Sequence, residues 1–140
     1  FIDFGCGRGK VLLMALDYPF MKLHGVELSD KLVKEAEKNL ENYCAKKKKN
    51  PLASIYLGDA RFYQIPPTAT VFFFYNPFTW SIFEHVAENI QESLRRHPRE
   101  TRLIYINDLY WKELEKKEMQ CVSRGSEFRI NYSVWKPLVV

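Results

Sequence analysis

The sequence of 140 residues has few of the features that mark secreted, membrane-spanning or metal-binding proteins. Its three cysteines, Cys6, Cys44 and Cys121, are an odd number without CxxC spacing, which argues against a disulfide framework and a zinc site. Its three histidines are scattered and never form HxxxH, so no metal site is indicated. Every apolar run is far shorter than the ~20 residues of a membrane-spanning helix. We therefore expect a cytoplasmic protein with neither a metal nor a membrane span.

The composition is otherwise that of an ordinary folded protein. Hydrophobic residues make up 46% and charged residues 27% of the chain, which excludes disordered and collagen-like classes. The formal net charge is +4, and part of the excess lies in the run Lys46–Lys49. No aromatic residue interleaves this run, so the pattern favours a solvated helix end over a nucleic-acid patch.

Short apolar runs alternate with amphipathic segments, a pattern typical of a parallel sheet with crossover helices. Ser29 or Asp30 is expected to cap the helix after the second strand. We expect a closing hairpin from Met119–Ser123 and Phe128–Trp135 around Arg124-Gly125-Ser126. The other predicted strands cover 1–4, 23–27, 53–57, 70–75 and 102–106. Residues 1–140 are thus expected to form one domain, truncated at its N-terminus because the chain opens inside an apolar strand.

A glycine-rich turn joins the first strand to the first helix. Glycines stand at 5, 7 and 9, which gives GxGxG rather than the GxGxxG of dinucleotide binders. Such a turn needs glycine where φ is positive and where a ligand approaches the backbone. The helix start then offers free N–H groups to an anionic ligand group.

Acidic residues end the next two strands. Glu27 closes the second strand, where a carboxylate can accept hydrogen bonds from ribose hydroxyls. Asp59 follows the third strand, where it could reach an exocyclic amine such as the adenine N6. Either acid alone would more often be a cap or a turn former. Together with the glycine turn, however, three successive strand ends supply the parts of one adenosine site.

These motifs together resemble the class I S-adenosylmethionine-dependent methyltransferases. The matching segments, in order, are DFGCGRG (3–9), GVELS (25–29), GDA (58–60) and Asn76-Pro77-Phe78. The resemblance implies an α/β fold, namely a Rossmann-like doubly wound, mostly parallel seven-stranded sheet with an antiparallel C-terminal hairpin strand. It also implies S-adenosyl-L-methionine as the cofactor.

The resemblance assigns a role to each matching residue. Gly5 and Gly7 would border the methionine part of the cofactor, and Asp3 would orient its amino group through water. Glu27 would hold the ribose hydroxyls with Leu28 beside the adenine. The remaining cofactor-binding positions would be Asp59 for the adenine N6, Ala60 for a ring nitrogen, and Asn76.

The fourth motif, Asn76-Pro77-Phe78, is the candidate catalytic segment. Methyl transfer from a sulfonium is an in-line displacement that depends mostly on positioning, and an Asn-Pro segment can orient an amine. Methyltransferases that act on planar or amide nitrogens read Asn/Asp-Pro-Pro-Tyr/Phe here, whereas this chain lacks one proline. The departure counts against a nucleobase or glutamine substrate. Asn-Pro is also a common turn opener.

The leading hypothesis is a methyltransferase acting on a nitrogen of a protein amine or small molecule, with nucleic acid as a less favoured acceptor. Asn107-Asp108 and Tyr110-Trp111 follow the fifth strand and could line the acceptor pocket. Two alternatives stay open at this point. A module of the same fold could bind the cofactor or a protein partner without catalysis. An NAD-dependent oxidoreductase shares the logic of strand, glycine turn, helix and acid, although the GxGxG spacing counts against it.

Overall fold

Strands and helices alternate along the chain, as the apolar pattern predicts. The computed structural model describes residues 1–50 and 52–138. The strands are β1 (Ile2–Phe4), β2 (Leu23–Glu27), β3 (Ala53–Leu57), β4 (Val71–Tyr75), β5 (Arg102–Ile106), β6 (Met119–Glu127) and β7 (Ile130–Pro137). The helices are α1 (Lys10–Ala15), α2 (Asp30–Lys47), α3 (Trp80–Arg96) and α4 (Trp111–Glu115), with a 3-10 turn at Ala60–Phe62.

The strands form a seven-stranded sheet in the order β3-β2-β1-β4-β5-β7-β6. Pairs β1–β2, β2–β3 and β4–β5 are parallel, whereas β7 is antiparallel to both β5 and β6. The predicted mostly parallel sheet with an antiparallel C-terminal hairpin is therefore confirmed.

The chain groups into two compact units, Phe1–Tyr63 and a second that begins at Gln64. The single domain over residues 1–140, with its truncated N-terminus, stays a prediction. Its last two positions, Val139 and Val140, lie outside the described residues.

The first unit packs α1 and α2 against the strands through small and aliphatic side chains. Its buried cluster contains both cysteines of this unit, which are not disulfide-bonded. Ser29 is the residue that caps α2: its Oγ accepts a hydrogen bond from the backbone N–H of Leu32 at 3.4 Å. The members of the cluster are Cys6, Leu12, Ala15, Leu16, Leu23, Leu40 and Cys44.

The second unit has an aromatic core at the strand that precedes the Asn-Pro-Phe motif. The Phe83 ring on α3 lies between Phe74 on β4 and Tyr105 on β5, with centroid distances of 4.8 Å to each. Aromatic pairs at this spacing contribute beyond their buried area. All three side chains are buried, so the ends of β4 and β5 rest on a rigid base.

The closing hairpin has a different turn from the predicted one. Residues 124–126 continue β6, and the chain reverses instead at Phe128 and Arg129, which have φ values of 49° and 65°. Positive φ at both central residues is the geometry of a tight hairpin turn that matches the strand twist. Gly125 pairs with Tyr132, whose hydroxyl would be 2.6 Å from a Cβ added there. The glycine that suggested a turn therefore makes room for an aromatic ring within the sheet.

Among the described residues, no helix is both long and apolar enough to cross a membrane. The same part of the chain contains no group of three or more His, Cys, Asp or Glu side chains that could hold a metal ion.

Candidate functional site

The glycine turn of the first unit is held by backbone hydrogen bonds to β2. The N–H groups of Gly5 and Cys6 both donate to the carbonyl oxygen of Val26, at 2.8 and 3.1 Å. Gly5, Gly7 and Gly9 have φ values of 76°, 53° and 77°, a region that side chains other than glycine disfavour. The expected need for glycine at positive φ in this turn thus applies to all three positions.

Glu27 ties this turn to the end of β2. Its Oε2 accepts a hydrogen bond from the Gly7 N–H at 2.9 Å, and its Oε1 accepts from the N–H groups of Leu28 and Ser29, both at 3.0 Å. A carboxylate has about four acceptor sites, so the three bonds orient the group and leave it capacity for one ligand hydroxyl. The structure thus brings two sequence-predicted site residues, Gly7 and Glu27, into direct contact.

The space available to an added side chain differs sharply between Gly7 and Gly9. A Cβ built on Gly9 would lie 3.2 Å from the Cβ of Ala36 on α2, so this glycine allows the helices to approach. A Cβ built on Gly7 would have no atom within 4 Å. The open side of Gly7 is therefore where the backbone is accessible to a ligand.

Asp3 is buried at the base of the turn. Burial, with a further contribution from the negative charge of Glu27, raises the pKa of Asp3 from 3.8 to about 7. Desolvation disfavours the charged form of a carboxyl group in this way. The same causes, together with Asp3 itself, raise the pKa of Cys6 to about 12. Cys6 is therefore a neutral thiol near pH 7 and does not act as a nucleophile.

Asp59 follows β3 and faces Arg61. Its carboxylate accepts from the Arg61 Nη2 at 2.6 Å and from Nε at 3.1 Å, and its Oδ1 also accepts from the Arg61 backbone N–H at 2.9 Å. Asp59, the predicted adenine ligand, thus also stabilises the turn after β3. Ala60 is buried behind it, and Gly58 donates its N–H to the Glu27 carbonyl at 2.9 Å, which joins the ends of β2 and β3.

Exposed apolar side chains follow these strand ends. Leu28 and Phe62 are each 72% exposed, so Leu28 is not part of the core. Phe62 is a residue that the sequence reasoning missed, since only its place after Asp59 distinguishes it from other aromatic residues.

In the second unit, Asn76 occupies a strained turn immediately after β4. Its φ is 39°, and its Oδ1 accepts a hydrogen bond from the Tyr105 Oη at 3.2 Å. Burial raises the pKa of the Tyr105 phenol well above its usual range, so this hydroxyl stays protonated and remains a donor. The side chain of Asn76 is therefore anchored. Tyr105 was missed because in the sequence it reads only as a core aromatic of β5.

The rest of the motif packs on the aromatic core. The Phe78 ring contacts Phe74 edge to face with centroids 6.4 Å apart, and Pro77 is half-buried beside it. Asn107 follows β5 with φ 53° in the same register that places Asn76 after β4, since Tyr75 pairs with Ile106. Two asparagines thus stand at neighbouring carboxyl ends of parallel strands.

Solved structures of several methyltransferases are similar to this chain over nearly its whole length. The methyltransferase domain of bacterial CtHen1-C has a TM-score of 0.68 at 15% identity, covering 97% of this chain and 88% of that one. An RNA methyltransferase from Salinibacter ruber, solved with S-adenosyl-L-homocysteine, has a TM-score of 0.69 at 19% identity, covering 99% and 81%. The magnesium protoporphyrin IX methyltransferase ChlM from Synechocystis PCC 6803, with bound S-adenosylmethionine, has a TM-score of 0.68 at 16% identity, covering 97% and 68%.

No protein-family model and no curated protein matches the sequence. At these identities the likeness concerns the fold. Strand order, the antiparallel last strand and the similarity to solved structures agree: the chain has the Rossmann-like fold of the class I methyltransferases.

Proposed function

We propose that this protein is an S-adenosylmethionine-dependent methyltransferase. The observation that carries the proposal is the contact between the Glu27 carboxylate and the Gly7 N–H, 2.9 Å long, within a turn whose three glycines all have positive φ. A carboxylate fixed at the end of the second strand beside an open glycine backbone suits a nucleoside whose sugar hydroxyls need acceptors. Two of the similar structures, which were solved with S-adenosyl-L-homocysteine and with S-adenosylmethionine, support the same cofactor.

The polar and apolar groups of the first unit are of the kinds that this cofactor requires. Glu27 would accept a hydrogen bond from a ribose hydroxyl at its remaining acceptor site, and the open side of Gly7, with Gly5, would border the methionine part. Asp3 would attract the cationic amino group through water, and Leu28 would cover the adenine. Asp59 and Ala60 would meet the adenine edge, with Asp59 shared between the ligand and Arg61. When bound, the cofactor supplies a methyl group on a sulfonium.

Asn76, Pro77 and Phe78 would position the methyl acceptor. Because the Asn76 side chain is anchored by Tyr105, it would hold a nucleophile with little loss of rotamer freedom. Carbonyl oxygens of an Asn-Pro segment would accept from an N–H donor, so we propose nitrogen of a protein amine or small molecule as the acceptor. The described neighbours act on RNA or on a porphyrin, and nucleic acid is therefore the second class to test.

A second candidate function is a non-catalytic module that binds the cofactor or a protein partner. The incomplete Asn-Pro-Phe motif and the engagement of Asp59 by Arg61 favour it. Incubation with cofactor labelled in the methyl group and with candidate amines, followed by mass spectrometry, separates the two functions because a binding module transfers no label.

We place either form in a reducing compartment such as the cytoplasm, in keeping with three cysteines that form no disulfide.

Isothermal titration with S-adenosyl-L-homocysteine tests the proposal directly. Glu27→Ala is expected to weaken binding by about 1–3 kcal/mol, the scale of a lost hydrogen bond to a charged group. Glu37→Ala, which removes an exposed acid on α2, is the matched control and should bind like the unmodified chain. Absence of binding to the folded chain would exclude the methyltransferase. Equal affinity of both variants would exclude Glu27 as the ribose ligand.

A further inference from the structure

An arginine held rigidly in the second unit is left unused by the proposed function. Arg124 on β6 donates from Nε to the Oδ2 of Asp108 at 3.0 Å. Its guanidinium carbon also lies 3.9 Å from the ring centroid of Trp111, the distance of a stacked cation–π contact. The Asp108 side chain is only 1% exposed. A buried carboxylate and an indole therefore fix this guanidinium from two sides.

The outer part of the guanidinium is available to a ligand. Within residues 1–50 and 52–138, the side chain of Arg124 donates a hydrogen bond only through Nε, and 35% of this side chain is accessible. The two Nη groups form a planar fork that matches the oxygens of a carboxylate or phosphate. Because Asp108 and Trp111 already hold the fork, little side-chain entropy is lost when an oxyanion binds.

The local charge favours an anion over a cation. An acid beside an aromatic ring could hold a cationic ligand, but here Arg124 already fills that position. The Lys112 ammonium lies 5.6 Å from the same Trp111 ring, so a second cation is present at this indole. The Oδ1 of Asp108 is buried without a hydrogen-bond partner in the described part of the chain, so this oxygen is not accessible to a ligand in solvent.

The register of the sheet places Arg124 on the same face as Tyr105, the residue that anchors Asn76. Ser133 of β7 pairs with Tyr105 on one side and with Arg124 on the other. Residues opposite one another on neighbouring strands project to the same face. Strands are ~4.8 Å apart, so the backbones of Tyr105 and Arg124 are separated by roughly 10 Å. Arg124 and the residue that anchors Asn76 are thus two strands apart on one face of the sheet.

We propose that Arg124 binds a carboxylate or phosphate group of the methyl acceptor. Naming the ligand as the acceptor rests on the proposed function, whereas the oxyanion site itself does not. The proposal therefore narrows the acceptor to molecules that carry an anionic group as well as the nucleophile.

Anion titration of the full chain tests this site without any methyl transfer. Inorganic phosphate and acetate serve as probes, followed by calorimetry and by the Nε–H resonance of Arg124. Arg124→Gln is expected to weaken phosphate binding about tenfold or more, since a charge-assisted bidentate contact is lost. Arg124→Lys keeps the charge but lacks the fork and should also weaken binding. Arg129→Gln, which removes an equal charge from the exposed hairpin turn, should bind within about twofold of the unmodified chain.

Each outcome decides the proposal. Saturable binding that is lost in Arg124→Gln and kept in Arg129→Gln supports the site, and the acetate titration shows whether carboxylates share it. Absence of saturable binding to the unmodified chain overturns the site. Equal losses in both variants overturn it as well, because they indicate only a diffuse charge effect. If Arg124→Gln does not fold, Arg124→Lys decides in the same way. A parallel titration with S-adenosyl-L-homocysteine separates failure of the site from failure of the methyltransferase.

Discussion

The two units solve the same backbone problem with different residues. In the first, the positive-φ positions of the glycine turn belong to Gly5, Gly7 and Gly9, and Lys48 at the end of α2 also has a positive φ of 52°. In the second, the residues with positive φ are Asn76, Asn107, Phe128 and Arg129. Glycine adopts this conformation without steric cost, asparagine tolerates it, and bulky residues adopt it only when the surrounding structure imposes it. The glycine turn of the first unit is therefore specified by local sequence, whereas the hairpin turn of the second unit depends on long-range strand pairing.

The buried aspartates of the two units also differ, in the charge of the side chain that lies beside each of them. Asp3 in the first unit lies near the negative Glu27, whereas Asp108 in the second is ion-paired with Arg124. Folding thus raises the pKa of Asp3 above its value in the unfolded chain, while Asp108 makes a stabilising contact as an anion.

The largest change in the free energy of unfolding is expected when one of these aspartates is replaced. The folded protein holds the Asp3 proton more tightly than the unfolded chain does, so the free energy of unfolding falls as pH rises from about 4 to about 7. A pKa raised from 3.8 to about 7 corresponds to at most ~4 kcal/mol. Asp3→Asn should therefore stabilise the protein at pH 8 and lose this advantage near pH 4, as measured by urea unfolding at both pH values.

Asp108→Asn is the contrasting variant. It removes the charge that pairs with Arg124, and we expect a loss of about 1–3 kcal/mol at pH 8. If both variants shift the free energy of unfolding in the same direction, the distinction between the two aspartates is wrong.

The next effect concerns the glycine turn. Gly9→Ala combines a positive φ of 77° with a Cβ contact of 3.2 Å to Ala36, and it should cost about 1–3 kcal/mol of stability. Gly7→Ala has open space around the new Cβ, so only the backbone cost of about 1 kcal/mol applies. Thermal and urea unfolding measure the stability of both variants. A larger loss of stability in Gly7→Ala than in Gly9→Ala would contradict this prediction.

Tyr105→Phe tests the anchor of Asn76. The loss of one buried hydrogen bond is expected to cost about 1 kcal/mol and to shift the side-chain amide resonances of Asn76. Tyr132→Phe, on a half-buried tyrosine of β7, should leave those resonances unchanged. Unshifted Asn76 resonances in Tyr105→Phe would show that the side chain is held by other contacts.

The smallest effect is expected at the hairpin turn. Replacing Phe128 and Arg129 with Asn and Gly places the preferred residues at two positive-φ positions, and should stabilise the protein by about 0.5–1 kcal/mol. A destabilised double variant would indicate that the exposed Phe128 makes contacts of its own, and urea unfolding measures either result.

Much of the first unit could be predicted from sequence because its determinants are local. The bounds of β2 and β3 agree with the prediction, and the predicted role of Ser29 as a cap is confirmed. The contact between Glu27 and Gly7 follows from adjacent parallel strands whose carboxyl ends share one edge. The engagement of Asp59 by Arg61 was missed, since a side-chain pair two residues apart depends on the turn that follows β3.

The second unit was less predictable at its turn and at its polar contacts. The Arg124-Gly125-Ser126 segment has the composition of a turn, yet pairing with β7 keeps it extended. Tyr105 and Arg124 acquire their partners from residues 29 and 16 positions away, and no spacing rule reveals such contacts.

The sequence by itself determined the alternation of strands and helices, the glycine turn and the acid at the end of β2, because hydrophobic period and positive φ are local requirements. Only the tertiary structure decided where the hairpin reverses, which hydroxyl group anchors the side chain of Asn76, and which guanidinium is fixed against Trp111. These features depend on strand register and burial, which bring together residues that are distant along the chain.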